Sequence, residues 1–313
     1  MNPKIGVKIG RLALKNSVMV ASGTFGYAEE FADFLDLKKL GAIVSKTITV
    51  KPRQGNIPPR TCEAPSGMLN SIGLENPGID VFIEEKLPVL KKAGIPVIVS
   101  IASESGSEEF VVLAKRLDKL SEVAALELNI SCPNIKSHVT RHKVTRLVSQ
   151  DPRATFAVVK MVRRVTRKTL ITKLSPNVTD IVEIALAAQE AGSDALALIN
   201  TVQGMSIDVS TRKPKIAMIV GGLSGPAIRP IALRMVWEVY QKARIPIIGM
   251  GGIMDTESAL EFFIAGASAI SVGTANFVNP GVSAEIVSGV TKYLQKNKFN
   301  SIQKLIGSLE CQT

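Results

Sequence analysis

One thiol at the end of a strand is the first residue here that could do chemistry. Cys132 closes the run 124–132, in which Leu126, Leu128 and Ile130 alternate with Glu127, Asn129 and Ser131. Alternation with period two marks a strand, and Pro133 stops it. The strand lies between helical patterns, where parallel strands are ordinarily apolar on both faces. Its polar face is therefore expected to line the lumen of a closed parallel barrel. That places Cys132 at the C-terminal strand end, where barrel enzymes keep their chemistry. On local features a reactive thiol and a buried cysteine acting as a small hydrophobe both remain open.

A phosphate site is the next signal. Gly249-Met250-Gly251-Gly252 and Gly273-Thr274 end two consecutive strands near the C-terminus. Glycine turns let backbone approach a ligand, and the helix starts that follow supply N–H donors for an anion. Barrel phosphate sites commonly use the loops after strands seven and eight. Lys46 and Lys173 lie in apolar strands, where an ammonium needs an anion or acceptor to meet it. Asn70, Asn129 and Asn200 recur at strand ends or in a long loop, and their amides suit a cyclic amide or imide ligand. His138 and His142, the only 2 histidines, are read as a solvated helix face, since no Glu follows His138 as a zincin motif requires.

Two further cysteines, Cys62 and Cys311, are far from Cys132 in sequence and read as structural or incidental. Such an odd, sparse set without paired spacing argues against disulfides, zinc and iron–sulfur ligation within the chain. The cytoplasm is then the default compartment. The 313 residues are 46% hydrophobic, enough for one large α/β domain with ample core. Aromatics at 4% leave little for stacking on single-stranded nucleic acid. The formal charge of +11 suits an anionic ligand or acidic partner, or simply a solvated basic surface. The basic clusters around 141–146 and 163–168 match no nucleic-acid-binding motif. No apolar run reaches the roughly 18 residues of a membrane span, and the N-terminus lacks an apolar signal core.

The elements that must position these residues follow a βα rhythm. A short hairpin is expected over 4–16. Strands are expected at 18–21, 42–47, 96–101, 124–131, 170–175, 195–201, 245–252 and 269–274. Helices are expected at about 28–38, 78–93, 107–121, 152–167, 180–191, 227–243 and 256–265, with further helix to the end. Two irregular excursions interrupt the rhythm, at 48–76 and 202–224, and loops that long are usually functional. Eight βα units predict a TIM (β/α)8 barrel, in one domain over 1–313. A doubly wound open sheet is the alternative.

The motifs Ala21-Ser22-Gly23-Thr24, Ser45-Lys46-Thr47, Asn70-Ser71-Ile72-Gly73-Leu74, Asn129-Ile130-Ser131-Cys132-Pro133-Asn134, Lys173-Leu174-Ser175-Pro176, Asn200-Thr201, Gly222-Leu223-Ser224-Gly225-Pro226 and Gly249-Met250-Gly251-Gly252 stand in this order. In this the chain resembles the catalytic, FMN-binding subunit of class 1B dihydroorotate dehydrogenase, from about residue 4 to 295. The resemblance implies that Ser22, Lys46, Thr47, Asn129, Lys173, Ile199, Gly225, Gly251, Gly252, Gly273 and Thr274 hold FMN. It implies that Lys46, Asn70, Ser71, Ile72, Gly73, Leu74, Asn129, Asn200 and Thr201 hold the pyrimidine. Ser100 stands where the family often places an Asn on FMN. The segment 135–150 contains no glycine, whereas the family's loop there is usually glycine-rich.

The reaction so implied is oxidation of dihydroorotate to orotate in pyrimidine biosynthesis. Cys132 would take the C5 proton, hydride would leave C6 for the flavin, and Lys173 would stabilise charge developing on the flavin ring. Class 2 relatives use a serine base and a membrane segment. Class 1A also uses cysteine, so class 1B rests on the motif wording. Class 1B implies a homodimer core and a second subunit with FAD and an iron–sulfur cluster that passes electrons to NAD. The competing readings are a dihydropyrimidine dehydrogenase-like FMN domain and a flavin-free phosphate-binding lyase or isomerase.

Overall fold

Eight short strands carry the fold: β1 Val18–Val20, β2 Ala42–Val44, β3 Val97–Ile101, β4 Val123–Asn129, β5 Thr169–Lys173, β6 Ala195–Leu198, β7 Ile247–Gly249 and β8 Ala269–Val272. The computed structural model describes residues 3–131 and 147–310. Each strand pairs in parallel with the next, and β8 pairs with β1, so the sheet closes into a barrel. Both strand faces are buried, one by the lumen and one by the surrounding helices. That accounts for their near-continuous apolar sequences.

The helices are amphipathic and capped. Ser107–Asp118 buries Phe110, Leu113, Ala114 and Leu117, the spacing of one helical face. Pro152–Arg163 starts behind Asp151, whose carboxylate accepts from the N–H groups of Arg153 and Ala154 at 2.8 and 3.3 Å. Asp180 and Asp255 cap Ile181–Glu190 and Thr256–Ala265 in the same way. The expected hairpin is present as Val7–Ile9 paired with Leu12–Leu14. Its turn sits at the start of β5, where Arg11 N–H donates to Thr169 Oγ1 at 3.0 Å.

Two expectations are corrected, and a third gains detail. The helix expected at about 28–38 is two single 3₁₀ turns, Glu29–Phe31 and Leu37–Lys39. Gly26 and Ala28 take positive φ of 53° and 73°, which breaks a right-handed helix at its start. Phe31 then stacks on Phe25, with ring centroids 4.1 Å apart, rather than projecting from a helix face. The helix over 78–92 widens to a π turn at Phe82–Lys86. Pro88 has no N–H to continue the α ladder there. Finally, the two irregular excursions are not wholly loops. Thr61–Ala64 and Gly67–Asn70 form a hairpin, and Gly67–Asn70 pairs with Val220–Ser224, which pairs with Val202–Met205. The result is a four-stranded antiparallel sheet beside the C-terminal end of the barrel.

Candidate active site

Residues in register on adjacent strands project to the same face, and residues two apart in one strand share it. Ser100 is in register with Glu127, and Asn129 with Lys173, so these four share one face. Asn129 Nδ2 donates to Thr47 Oγ1 at 3.3 Å, although β3 stands between β2 and β4. In the other direction, Asn200 Nδ2 donates to Asn129 Oδ1 at 3.4 Å across β5. Only the concave side of the sheet permits such reach. The polar face of β4 therefore lines the lumen, as the alternation in its sequence requires.

A connected polar network occupies that lumen. Ser22 Oγ lies 2.9 Å from Thr47 Oγ1, Thr47 Oγ1 lies 2.9 Å from Ser100 Oγ, and Ser100 Oγ donates to Glu127 Oε1 at 2.9 Å. Asn200 continues outward: its Oδ1 accepts from Thr201 N–H at 2.8 Å. Asn177 Nδ2 donates to the Thr201 carbonyl at 3.1 Å. Lys173 is buried and Lys46 half-buried. Neither ammonium has a hydrogen-bond or ion-pair partner among the described residues. Cations so enclosed are positioned to meet an anion or an acceptor.

The glycine turns converge beside this network. A Cβ on Gly252 would lie 2.8 Å from the Gly225 carbonyl oxygen, so the two turns touch. A Cβ on Gly251 would come within 3.4 Å of Ile199 Cγ1, which joins the turns to Asn200. Thr274 Oγ1 donates to Ser224 Oγ at 2.8 Å. A Cβ on Gly273 would meet only Ala21 Cβ, at 3.8 Å, and so faces open space. These backbones form a cradle with room above it, closed behind and open at Gly273.

The segment Asn70–Leu74 reaches the same end of the barrel. Asn70 Nδ2 donates to the Gly222 carbonyl at 3.3 Å, and a Cβ on Gly222 would collide with the Thr201 side chain. Arg53 Nε donates to the Gly73 carbonyl at 3.1 Å and pairs with Glu104 at 3.0 Å, which holds the turn in place. Gly73 and Leu74 both take positive φ. The hydroxyls of Ser71 and Ser131 are buried without a hydrogen-bond partner among the described residues. An open cleft of ≈ 410 Å³ adjoins Lys46 and is lined also by Tyr27, Arg53, Glu75 and Asn76.

Every expected site residue within the described chain thus lies at the C-terminal end of the barrel or on the sheet beside it. Cys132 lies outside the described residues, as do His138, His142, Cys311 and most of 135–150. Sequence reasoning assigned no role to Glu127, Asn177, Ser224 or Arg53. Glu127 carried a signal, a carboxylate in an apolar parallel strand. The other three became visible only through their partners.

A family model described as dihydroorotate dehydrogenase matches residues 4–294. Among curated proteins, a "Dihydroorotate dehydrogenase B (NAD(+)), catalytic subunit" from Geotalea uraniireducens (strain Rf4) is 52% identical over 307 residues, covering 98% of both chains. The protein of that name from Geotalea daltonii (strain DSM 22248 / JCM 15807 / FRC-32) is 53% identical, over 98% of this chain and 99% of its own. That from Desulforudis audaxviator (strain MP104C) is 51% identical, over 98% of both.

Proposed function

The chain belongs to the dihydroorotate dehydrogenase family, and we propose that it is the FMN-binding catalytic subunit of a class 1B enzyme. It oxidises dihydroorotate to orotate in pyrimidine biosynthesis, with electrons passing to NAD through a partner subunit. The observation that carries this reading is the convergence of two features at one barrel end. One is a glycine cradle with open space at Gly273, and the other is a lumen of amides, hydroxyls and two ammonium groups without a partner among the described residues.

The residues fit the flavin. Gly225, Gly251, Gly252, Gly273 and Thr274 would take its phosphate, since backbone N–H groups at helix starts favour an anion. Ser22, Lys46, Thr47, Ser100, Asn129, Lys173 and Ile199 would hold the ring system. When bound, FMN supplies the hydride acceptor that no protein side chain offers. Lys46, Asn70, Ser71, Ile72, Gly73, Leu74, Asn129, Asn200 and Thr201 would hold the pyrimidine, whose imide edge needs donors and acceptors in pairs. The Ser71 hydroxyl is one donor without an acceptor among the described residues.

Cys132 is the base in this reading and takes the C5 proton, which the neighbouring carbonyl acidifies. Lys173 projects into a water-poor lumen, where a fixed positive charge stabilises developing negative charge more than in bulk water. The whole chain, 1–313, acts as one domain in the cytoplasm. No described helix is long and apolar enough to cross a membrane.

The partner would carry FAD and an iron–sulfur cluster, because three scattered cysteines give this chain no evident second redox centre. A homodimer core would bury the exposed apolar side chains Met205, Ile207, Val209, Met218, Ile219 and Val220 of the second excursion. The test is to purify the chain, identify its released cofactor by mass, and mix it anaerobically with dihydroorotate. FMN that bleaches on mixing is expected. A colourless protein, or FMN unmoved by dihydroorotate, would refute the assignment.

A further inference from the structure

We infer that Glu127 sets the direction of the lumenal hydrogen-bond chain, and so decides which polar atoms Ser22 and Asn129 turn toward the ligand site. The inference rests on the flavin and pyrimidine site proposed above, in which Glu127 has no part. Glu127 is 2% exposed, and its Oε1 accepts from Ser100 Oγ at 2.9 Å. A hydroxyl has one proton to give. With that proton committed to the carboxylate, Ser100 can only accept at its 2.9 Å contact with Thr47, so Thr47 is the donor there. Thr47 must then accept at both remaining contacts, from Ser22 Oγ at 2.9 Å and from Asn129 Nδ2 at 3.3 Å. Those two acceptances use both lone pairs of its oxygen.

The consequences reach the ligand site in two places. Ser22 has committed its proton inward and can offer a ligand only acceptor lone pairs. Asn129 must turn its NH₂ to Thr47, because a flipped amide would set its carbonyl against an oxygen with no proton left. Its Oδ1 therefore faces outward and accepts from Asn200 Nδ2 at 3.4 Å. Asn200 Oδ1 in turn accepts from Thr201 N–H, so its amide orientation agrees with the rest. Each member donates toward Glu127, and successive bonds of one sense reinforce one another. No member can reverse while Glu127 Oε1 is the acceptor at the end of the chain. Glu127 is thus a positioning residue, acting through Ser100 and Thr47 and touching no ligand itself.

The test compares Glu127→Met, which cannot accept a hydrogen bond, with Glu127→Gln, whose carbonyl still can. For each, and for wild type, the dissociation constants of FMN from apoprotein and of orotate from the FMN-loaded protein are measured. The methionine variant should lose about tenfold in both, the scale of one hydrogen bond to a charged group. The glutamine variant should recover most of that loss, because one acceptor for Ser100 is enough to set the chain. Wild-type affinities in the methionine variant would overturn the inference. A glutamine variant as weak as methionine would also overturn it, since charge rather than direction would then matter. Should the methionine variant not fold, Ser100→Ala cuts the same chain and should weaken orotate, which Ser100 is not assigned to touch. Unchanged orotate binding there would overturn the inference. A wild-type protein that takes up neither FMN nor orotate would instead refute the site assignment, and this inference with it.

Discussion

Serine in place of Cys132 changes one atom and removes the thiol's acidity. A free thiol titrates near about 8.5, so some thiolate is present close to neutral pH, whereas a serine hydroxyl has no evident histidine or lysine in its motif to take its proton. Cys132→Ser should keep the fold, the flavin and orotate binding, and lose about 10²–10⁴-fold in the rate of flavin reduction. Stopped-flow bleaching across pH checks this. The wild-type rate should rise through one ionisation, and the serine variant should lack that step. Lys173 makes a second test at this scale. Its ammonium is buried in register with Asn129 and has no partner among the described residues. Lys173→Ala should weaken FMN binding and slow its reduction, an effect of about 2–5 kcal/mol for a buried charged donor. Equilibrium dialysis of FMN and single-turnover bleaching would measure the two parts separately. Unchanged values in both would place Lys173 away from the ligand.

The turn after β7 and the turn after β8 make opposite predictions, because their glycines are needed for different reasons. Gly252 has φ 79°, and an added Cβ would lie 2.8 Å from the Gly225 carbonyl oxygen, a backbone atom that cannot swing aside. Gly252→Ala should therefore destabilise the apoprotein itself, by about 1–3 kcal/mol for a non-glycine residue held in that region. Gly273 has ordinary φ, and its Cβ would find open space. Gly273→Ala should melt within about 0.5 kcal/mol of wild type yet bind FMN less well, since the methyl would stand in the cradle. Thermal melts of both apoproteins, with FMN titrations, check the pair. A destabilised Gly273→Ala that binds FMN normally would refute the cradle. At the same scale, the misread helix at 28–38 shows how local backbone overrides pattern. Two positive φ values at Gly26 and Ala28 stop a helix that the composition alone allowed.

For the molecule as a whole, electrons taken from dihydroorotate should leave through a partner subunit. Among the described residues, no group of three or more His, Cys, Asp or Glu side chains could hold a metal. The isolated chain should be reduced by dihydroorotate yet reduce NAD poorly. Co-expression with an FAD and iron–sulfur subunit should restore NAD turnover. Brisk NAD reduction by the chain alone, followed at 340 nm under anaerobic conditions, would contradict the class 1B assignment. With a formal charge of +11, the chain would favour an acidic partner face, and complex formation should weaken with added salt.

The barrel, and the polar residues that interrupt its strands, were legible in the sequence. Strands buried on both faces must be apolar throughout, so their eight runs stand out, and polar residues within them, Lys173, Asn129 and Glu127, mark the lumen because nothing else would tolerate them there. The four-stranded sheet was not legible. Its partners Gly67–Asn70 and Val220–Ser224 are some 150 residues apart and too short to show a clear alternation, so only the folded chain brings their edges together. Nor could the sequence show that Ser22, Thr47, Ser100, Asn129 and Glu127 form one hydrogen-bonded path. Residue types state what a side chain can donate or accept. Which partner receives each proton depends on distances across the lumen, and barrel closure alone sets those.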